Sequence, residues 1–144
     1  MVTDEPLSGL DLPIQVELIR LLKKIHERRN LTMLFISHDL RHVRALATRV
    51  LVLYRGTLVE DAPADQFFSE TGRRHPYSKE LLLARSGKPI DIPTELVVGE
   101  EGRGCPYMHD CKALMEPSES CATISPKLIE ISPGHRVACH KYQD

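Results

Sequence analysis

The chain has 144 residues, with 19 lysines and arginines against 20 aspartates and glutamates and a formal net charge of -1. That length suits one domain with a core of its own plus a tail, and the near-zero charge leaves no electrostatic footprint for nucleic acid or for an anionic membrane surface. There is no run of ~18 apolar residues and no charged-then-apolar leader, so the sequence reads as cytosolic.

The first apolar residues run into Asp4-Glu5-Pro6 and then a short loop, Leu7-Ser8-Gly9-Leu10-Asp11. Two adjacent carboxylates at the end of an apolar lead suit a site better than a core. Asp11 followed by Pro13 predicts a helix start, an acidic cap with proline in the first turn. Ile14, Leu18, Leu21, Leu22 and Ile25 recur at three and four, which predicts an apolar stripe facing a sheet. Lys23, Lys24, Arg28 and Arg29 crowd the last two turns, where cations suit the carbonyl end of the helix dipole. The segment 31–36 is nearly unbroken apolar, as expected of a parallel strand covered on both faces, and it empties into Ser37-His38-Asp39. In open α/β sheets ligands bind beyond the carboxyl ends of the strands, so Asp4, Glu5 and His38 are expected to share one rim.

Beyond His38, residues 39–48 place Leu40, Val43 and Ala47 on one helical face, with His42 read as solvated. Residues 49–54 return as a strand, and Arg55-Gly56 turns the chain into 57–60 as a hairpin. Pro63 opens a short helix with Phe67 and Phe68 as core, followed by His75-Pro76-Tyr77-Ser78 and an apolar helix over 80–84. Prolines, glycines and acidic residues between 86 and 104 mark a linker, in which Leu96-Val97-Val98 is a candidate short strand.

All four cysteines fall in the last forty residues, at Cys105, Cys111, Cys121 and Cys139, separated by five, nine and seventeen residues. In a cytosolic chain disulfides are the poorer explanation. Four thiolates together suit either a Cys₄ zinc site or an iron–sulfur cluster, both of which take soft sulfur ligands. The paired C-x-x-C knuckles typical of zinc ribbons are absent.

Taken in order, these pieces resemble a known family. Asp4-Glu5-Pro6 is similar to the end of a Walker B strand, Ser8-Gly9-Leu10-Asp11 to the D-loop after it, and Phe35-Ile36-Ser37-His38-Asp39 to the switch-histidine segment of ATP-binding cassette ATPases. Each piece alone is weak; the ordered set, joined by an amphipathic helix and an apolar strand, is specific. The resemblance implies that Asp4 holds Mg²⁺, that Glu5 is the base acting on the attacking water, and that His38 hydrogen-bonds both the γ-phosphate and that base. It places the D-loop, Ser8 to Asp11, between the two ATP sites of a dimer. The bland alternatives are a helix cap for Asp11, a strand-end carboxylate for Asp4 and a solvated loop for His38. The phosphate cradle G-x-x-x-x-G-K-[ST], the signature loop and the glutamine loop are absent. The expected fold class is therefore α/β, the C-terminal part of a P-loop NTPase nucleotide-binding domain with a cysteine-rich, loop-rich extension. The chain by itself is expected to bind ATP poorly and to be inactive.

A narrower resemblance points to one branch. His75-Pro76-Tyr77-Ser78 is similar to a step found in ATPase subunits of oligopeptide, dipeptide and nickel importers. The closing residues Pro133 to His140 resemble the C-terminal extension of those subunits, in which four cysteines bind a [4Fe-4S] cluster. Zinc, with His109, His135 and His140 as alternative ligands, is the runner-up. Ser8-Gly9 stands where Thr-Ala is more usual, so the branch rests mainly on the tail. The resemblance implies three parts: a partial ATPase core over 1–62, a helical extension and linker over 63–104, and the four-cysteine extension over 105–144. It also implies an ATP-hydrolysing importer subunit on the cytoplasmic face of the inner membrane. Its partners would be a second ATPase subunit, transmembrane permease subunits and, indirectly, a peptide-binding protein, with no nucleic acid. The competing reading is a non-catalytic, metal-bound interaction or regulatory module.

Overall fold

The computed structural model describes residues 1–84, 104–112 and 119–143, and the strand suggested at Leu96-Val97-Val98 lies outside the described residues. The chain divides into two compact units, Met1–Thr48 and Arg49–Asp144.

The first unit is a β-α-β-α run: β1 (Val2–Asp4), α1 (Leu12–Arg29), β2 (Leu34–Ile36) and α2 (Leu40–Leu46). β1 and β2 pair in parallel, with Val2 opposite Leu34, Thr3 opposite Phe35 and Asp4 opposite Ile36. Parallel neighbours need a crossover, which α1 supplies. β2 is shorter than the apolar run 31–36 because β1 offers a partner over only three residues.

Pro13 sits in the first turn of α1 as expected, and Asp11 occupies the N-cap position, but its side chain makes no capping hydrogen bond. Proline at the second helical position removes one of the two N–H groups that a cap normally takes. Asn30 ends the helix in the left-handed conformation, φ 46°. Of the expected stripe only Leu22 is buried; Ile14 and Leu21 are 50 % and 52 % exposed, and Val2, Leu34 and Ile36 on the strands are also exposed. A parallel pair normally has both faces covered, so this unit carries an uncovered apolar surface.

At α2, Asp39 is a working N-cap: its Oδ1 accepts from the Arg41 backbone N–H at 2.8 Å, and the Arg41 guanidinium grips both carboxylate oxygens. Hydrogen bonding to Arg41 lowers the Asp39 carboxyl to about 2. Asp39→Ala is expected to cost α2 about 1 kcal/mol. A carboxyl depressed in the folded state contributes fully above its unfolded value, near 4, and loses the contribution as pH falls toward the folded one. Amide exchange in α2 should therefore separate wild type from D39A equally at pH 7 and pH 5, and less below pH 4. His42, expected to be solvated, is buried, because the face of α2 that carries it packs over the start of α1, where its Nε2 lies 3.2 Å from Gln15 Oε1.

The second unit is built on an antiparallel sheet of order β3-β4-β6-β5, with β3 (Arg49–Tyr54), β4 (Thr57–Pro63), β5 (Ile129–Ser132) and β6 (His135–Val137). Arg55 and Gly56 both have positive φ, 46° and 76°, the conformation of a two-residue type I′ hairpin turn. β4 runs beyond the expected residue 60 because β3 pairs with it as far as Pro63, opposite Arg49, while β6 joins its other edge, Glu60 opposite Val137 and Asp61 opposite Arg136. Two strands thus stand in a tail that the sequence suggested would be loop-rich. Val50 and Val52 alternate inward on β3, and with Val59, Ala62, Phe67 and Val137 they make the core. Asp61 is buried between the guanidiniums of Arg49 and Arg136, tying three strands together. α3 (Ala64–Phe67), α4 (Pro76–Ala84) and α5 (Glu119–Thr123) complete the unit. Among the described residues no helix is long and apolar enough to cross a membrane.

Candidate functional site

In the first unit, the parallel pairing of β1 and β2 delivers Asp4-Glu5 and Ser37-His38 to the same end of the sheet. The Glu5 backbone N–H donates to Ile36 O at 3.0 Å, and its backbone then turns into the left-handed region, φ 44°, a strained conformation for a residue with a side chain. That turn presents Glu5 Oε1 to His38, whose backbone N–H donates to it at 2.8 Å and whose Nδ1 lies 2.7 Å away. The hydrogen bond from His38 lowers the Glu5 carboxyl below its ordinary value, so Glu5 is a carboxylate at neutral pH. Nδ1 therefore donates, and Nε2 is left as the outer end of a largely exposed ring.

Asp4, the last residue of β1, is exposed beside this pair. The loop after it closes with Ser8 N–H donating to Glu5 O at 3.1 Å, while Leu7 is buried and Ser8, Gly9 and Asp11 face solvent. Sequence reasoning missed what holds the loop. The Gln15 amide nitrogen donates to Leu7 O at 3.3 Å and Leu10 O at 3.0 Å, and its oxygen accepts from His42 Nε2. A polar residue one turn into a helix is an ordinary surface choice, and only the position of His42 reveals its role.

In the second unit, Cys105, Cys111, Cys121 and Cys139 all line one cavity of about 20 Å³, together with His75, Tyr107 and His140 among others. Their chain environments differ. Cys105 follows Gly104, whose φ of 85° and lack of a side chain let the chain lie against the backbone of Cys121 and Ala122, where a Cβ would come within 2.5 Å of Ala122 O. The Cys105 N–H then donates to Cys121 O at 2.7 Å. Cys111 follows a 3₁₀ turn, Met108–Asp110, braced by a hydrogen bond from Tyr54 Oη to Asp110. Cys121 lies in α5, and Cys139 follows β6. All four are free thiols.

Burial pushes the Cys105 thiol up to about 11, with the other three cysteines adding to the shift, and burial likewise raises Cys139. Without a cation Cys105 and Cys139 are therefore held as neutral thiols. Among the described residues no three His, Cys, Asp or Glu groups converge as a metal ion requires.

Beneath the cavity is a polar arrangement with no local sequence signal. Glu60, 0 % exposed, accepts from His135 Nε2 at 2.8 Å on one oxygen and from the His75 backbone N–H at 2.8 Å on the other. His75 itself is buried, and desolvation lowers its imidazole to about 4.

No family model matches the chain. Individual proteins do. A Brucella ovis protein provisionally named as a peptide import ATP-binding protein is 37% identical over 96% of this chain and 45% of its own length. The Bacillus subtilis protein YkfD, provisionally named as an oligopeptide transport ATP-binding protein, is 35% identical over 100% of this chain and 45% of its own. A Brucella abortus protein provisionally named as a peptide import ATP-binding protein is 34% identical over 99% of this chain and 42% of its own. Beside a carboxylate and an imidazole joined at the rim of a parallel β-α-β unit, these relationships make the chain similar to part of the ATP-binding cassette ATPase family. Within it, the chain matches the C-terminal part of the ATP-binding subunits of peptide and oligopeptide importers. It spans a little under half the length of those relatives.

Proposed function

We propose that this chain carries the hydrolytic half of an ATP site belonging to an importer for oligopeptides or dipeptides, in a subunit that couples ATP hydrolysis to transport through membrane permease subunits. The observation that carries the reading is the Glu5–His38 pair, a carboxylate held ionised by an imidazole at the end of a β-α-β unit. In this reading Mg²⁺ and the phosphates of ATP are bound partly by residues this sequence does not contain. Asp4 contributes to the Mg²⁺ shell, commonly through water. Glu5 accepts the proton of the attacking water or orients it, and His38 bridges Glu5 and the γ-phosphate. With Nδ1–H committed to Glu5, His38 donates to a phosphate oxygen only when Nε2 is also protonated. The D-loop residues Ser8, Gly9, Leu10 and Asp11 face a second ATPase subunit. A peptide-binding protein delivers cargo indirectly, and the assembly sits on the cytoplasmic face of the plasma membrane.

The uncovered apolar surface of the first unit supports this reading, because it calls for the remaining layers of a nucleotide-binding domain. The test joins this chain to the part of the Bacillus subtilis relative that it does not cover. Hydrolysis of Mg·ATP by the joined protein and none by the 144-residue chain is the expected result. A joined protein that folds and binds ATP without hydrolysing it counts against the reading.

The four cysteines are read as the ligands of a [4Fe-4S] cluster with a structural role, and zinc as the lesser alternative. The support is the donor chemistry, four thiols with no competing carboxylate among the cavity's lining. Ligation needs thiolates, so loading is favoured by raised pH, given the elevated Cys105 and Cys139 values.

A further inference from the structure

The four cysteines are not equivalent in the chain without a metal group. Among the described residues, Cys105 and Cys121 are joined directly through their backbones, the Cys105 N–H donating to Cys121 O at 2.7 Å. Gly104 permits the approach, since a Cβ in its place would stand 2.7 Å from Cys121 O, and Ser125 Oγ fixes that glycine by donating to its carbonyl at 2.9 Å. A direct backbone N–H···O=C bond goes with a Cα separation of about 5.5 Å, inside the ~4.4–6.8 Å that a disulfide spans. Both side chains line one cavity, so the sulfurs lie on the same side of that contact. Of the three other thiols, Cys121 acts most strongly on Cys105. Cys111 and Cys139 bond elsewhere: the Cys111 N–H donates to Met108 O, and Cys139 O accepts from the Tyr142 N–H.

Exposure differs within the pair, Cys105 being half-buried and Cys121 buried. We propose that Cys105 and Cys121 form a redox-active dithiol, oxidised to an intramolecular disulfide by a small-molecule disulfide of the glutathione class, with Cys105 the point of entry and Cys121 the resolving thiol. The Cys105 thiolate attacks one sulfur of oxidised glutathione, whose S–S bond breaks, and the glutathione thiolate that leaves takes up the proton Cys105 released. The Cys121 thiolate then attacks Cys105 Sγ in the mixed disulfide and expels the second glutathione, which takes up the Cys121 proton. Two electrons pass to the oxidant, leaving one protein disulfide and two glutathione thiols. The bond fastens the 104–112 segment, whose Tyr107 packs against Tyr54, Tyr77 and His75, to α5. In reducing compartments, disulfides of this reversible, sensing kind are the ones that occur. The proposal goes beyond the cluster reading and does not rest on it, because it uses two sulfurs and no metal.

The 144-residue chain, freed of metal with a chelator and fully reduced, is equilibrated with mixtures of reduced and oxidised glutathione, quenched with an alkylating reagent and mapped by mass spectrometry after digestion. The elevated Cys105 value keeps its thiolate scarce at neutral pH, so the first attack is slow and equilibration runs over hours. The expected result is a peptide pair linked through Cys105 and Cys121, with Cys111 and Cys139 alkylated and both lost thiols restored by dithiothreitol.

A linkage between any other two cysteines overturns the proposal, as does a stable glutathione adduct on wild-type Cys105 without the linkage, or four alkylated thiols in excess oxidised glutathione. Cys121→Ser is expected to stop at the Cys105 adduct, and Cys105→Ser to carry no adduct on Cys121; an adduct there removes Cys105 as the point of entry. The wild-type map alone can refute the linkage, so a variant that fails to fold leaves the test standing. Iron and sulfide uptake by the reduced chain is measured separately and decides the cluster reading alone.

Discussion

Glu60→Ala is expected to destabilise the Arg49–Asp144 unit by about 3–5 kcal/mol, the cost of leaving two buried N–H groups without an acceptor together with the void left behind. The carboxylate is fully enclosed on β4, and two donors depend on it from distant parts of the chain, the His135 ring on β6 and the His75 backbone before α4. Alanine leaves both N–H groups buried without an acceptor and opens a void beside them. Since domains of this size are stable by about 5–15 kcal/mol, the loss is a large share of the whole. Glu60→Gln keeps one acceptor oxygen and the packing, so it should fall between wild type and alanine. Urea unfolding checks this, with a lower midpoint at unchanged slope. A loss for E60A below about 1 kcal/mol, within the range of a single neutral hydrogen bond, would mean that the two histidine segments hold their places without it.

The second large effect belongs to Glu5. In the joined protein described above, Glu5→Gln is expected to reduce ATP turnover by about 10²–10⁴-fold, the range of a lost general base, while ATP affinity is kept. Glutamine retains an oxygen that accepts from the His38 N–H at the Oε1 position, so the left-handed turn at residue 5 and the loop after it stay in place. What disappears is the proton acceptor. Turnover that survives E5Q within a few-fold would remove Glu5 from the chemistry and leave its contact with His38 a structural one.

Much of the first unit was legible because its signals are local. An acidic pair after an apolar lead, proline in a first turn and an apolar run ending in Ser-His place β1, α1 and β2 in order, and parallel pairing alone then brings Glu5 to His38. What escaped depends on partners far away in sequence. His42 looks solvated on its own helix and is buried by α1. Glu60 and His135 are 75 residues apart, and neither position announces the other. The stripe on α1 misled in the opposite sense, since periodicity identifies an apolar face without saying what covers it. The strands β5 and β6 were hidden by their shortness and by the surrounding Pro, Gly and Cys residues.

In the cluster reading proposed above, the order of strands in the second sheet bears on how the metal group would enter. Because β6 and β5 dock beside β4, the stretch carrying Cys105, Cys111 and Cys121 is spanned by ordered structure at both ends, and Cys139 is delivered by β6 itself. In this reading the pairing of β6 with β4 places Cys139 without help from an ion and so offsets part of the entropy of gathering the thiols. Small zinc modules, whose apo forms are unfolded, follow the opposite order. In that reading, removal of the cluster by a chelator is expected to leave the antiparallel scaffold standing.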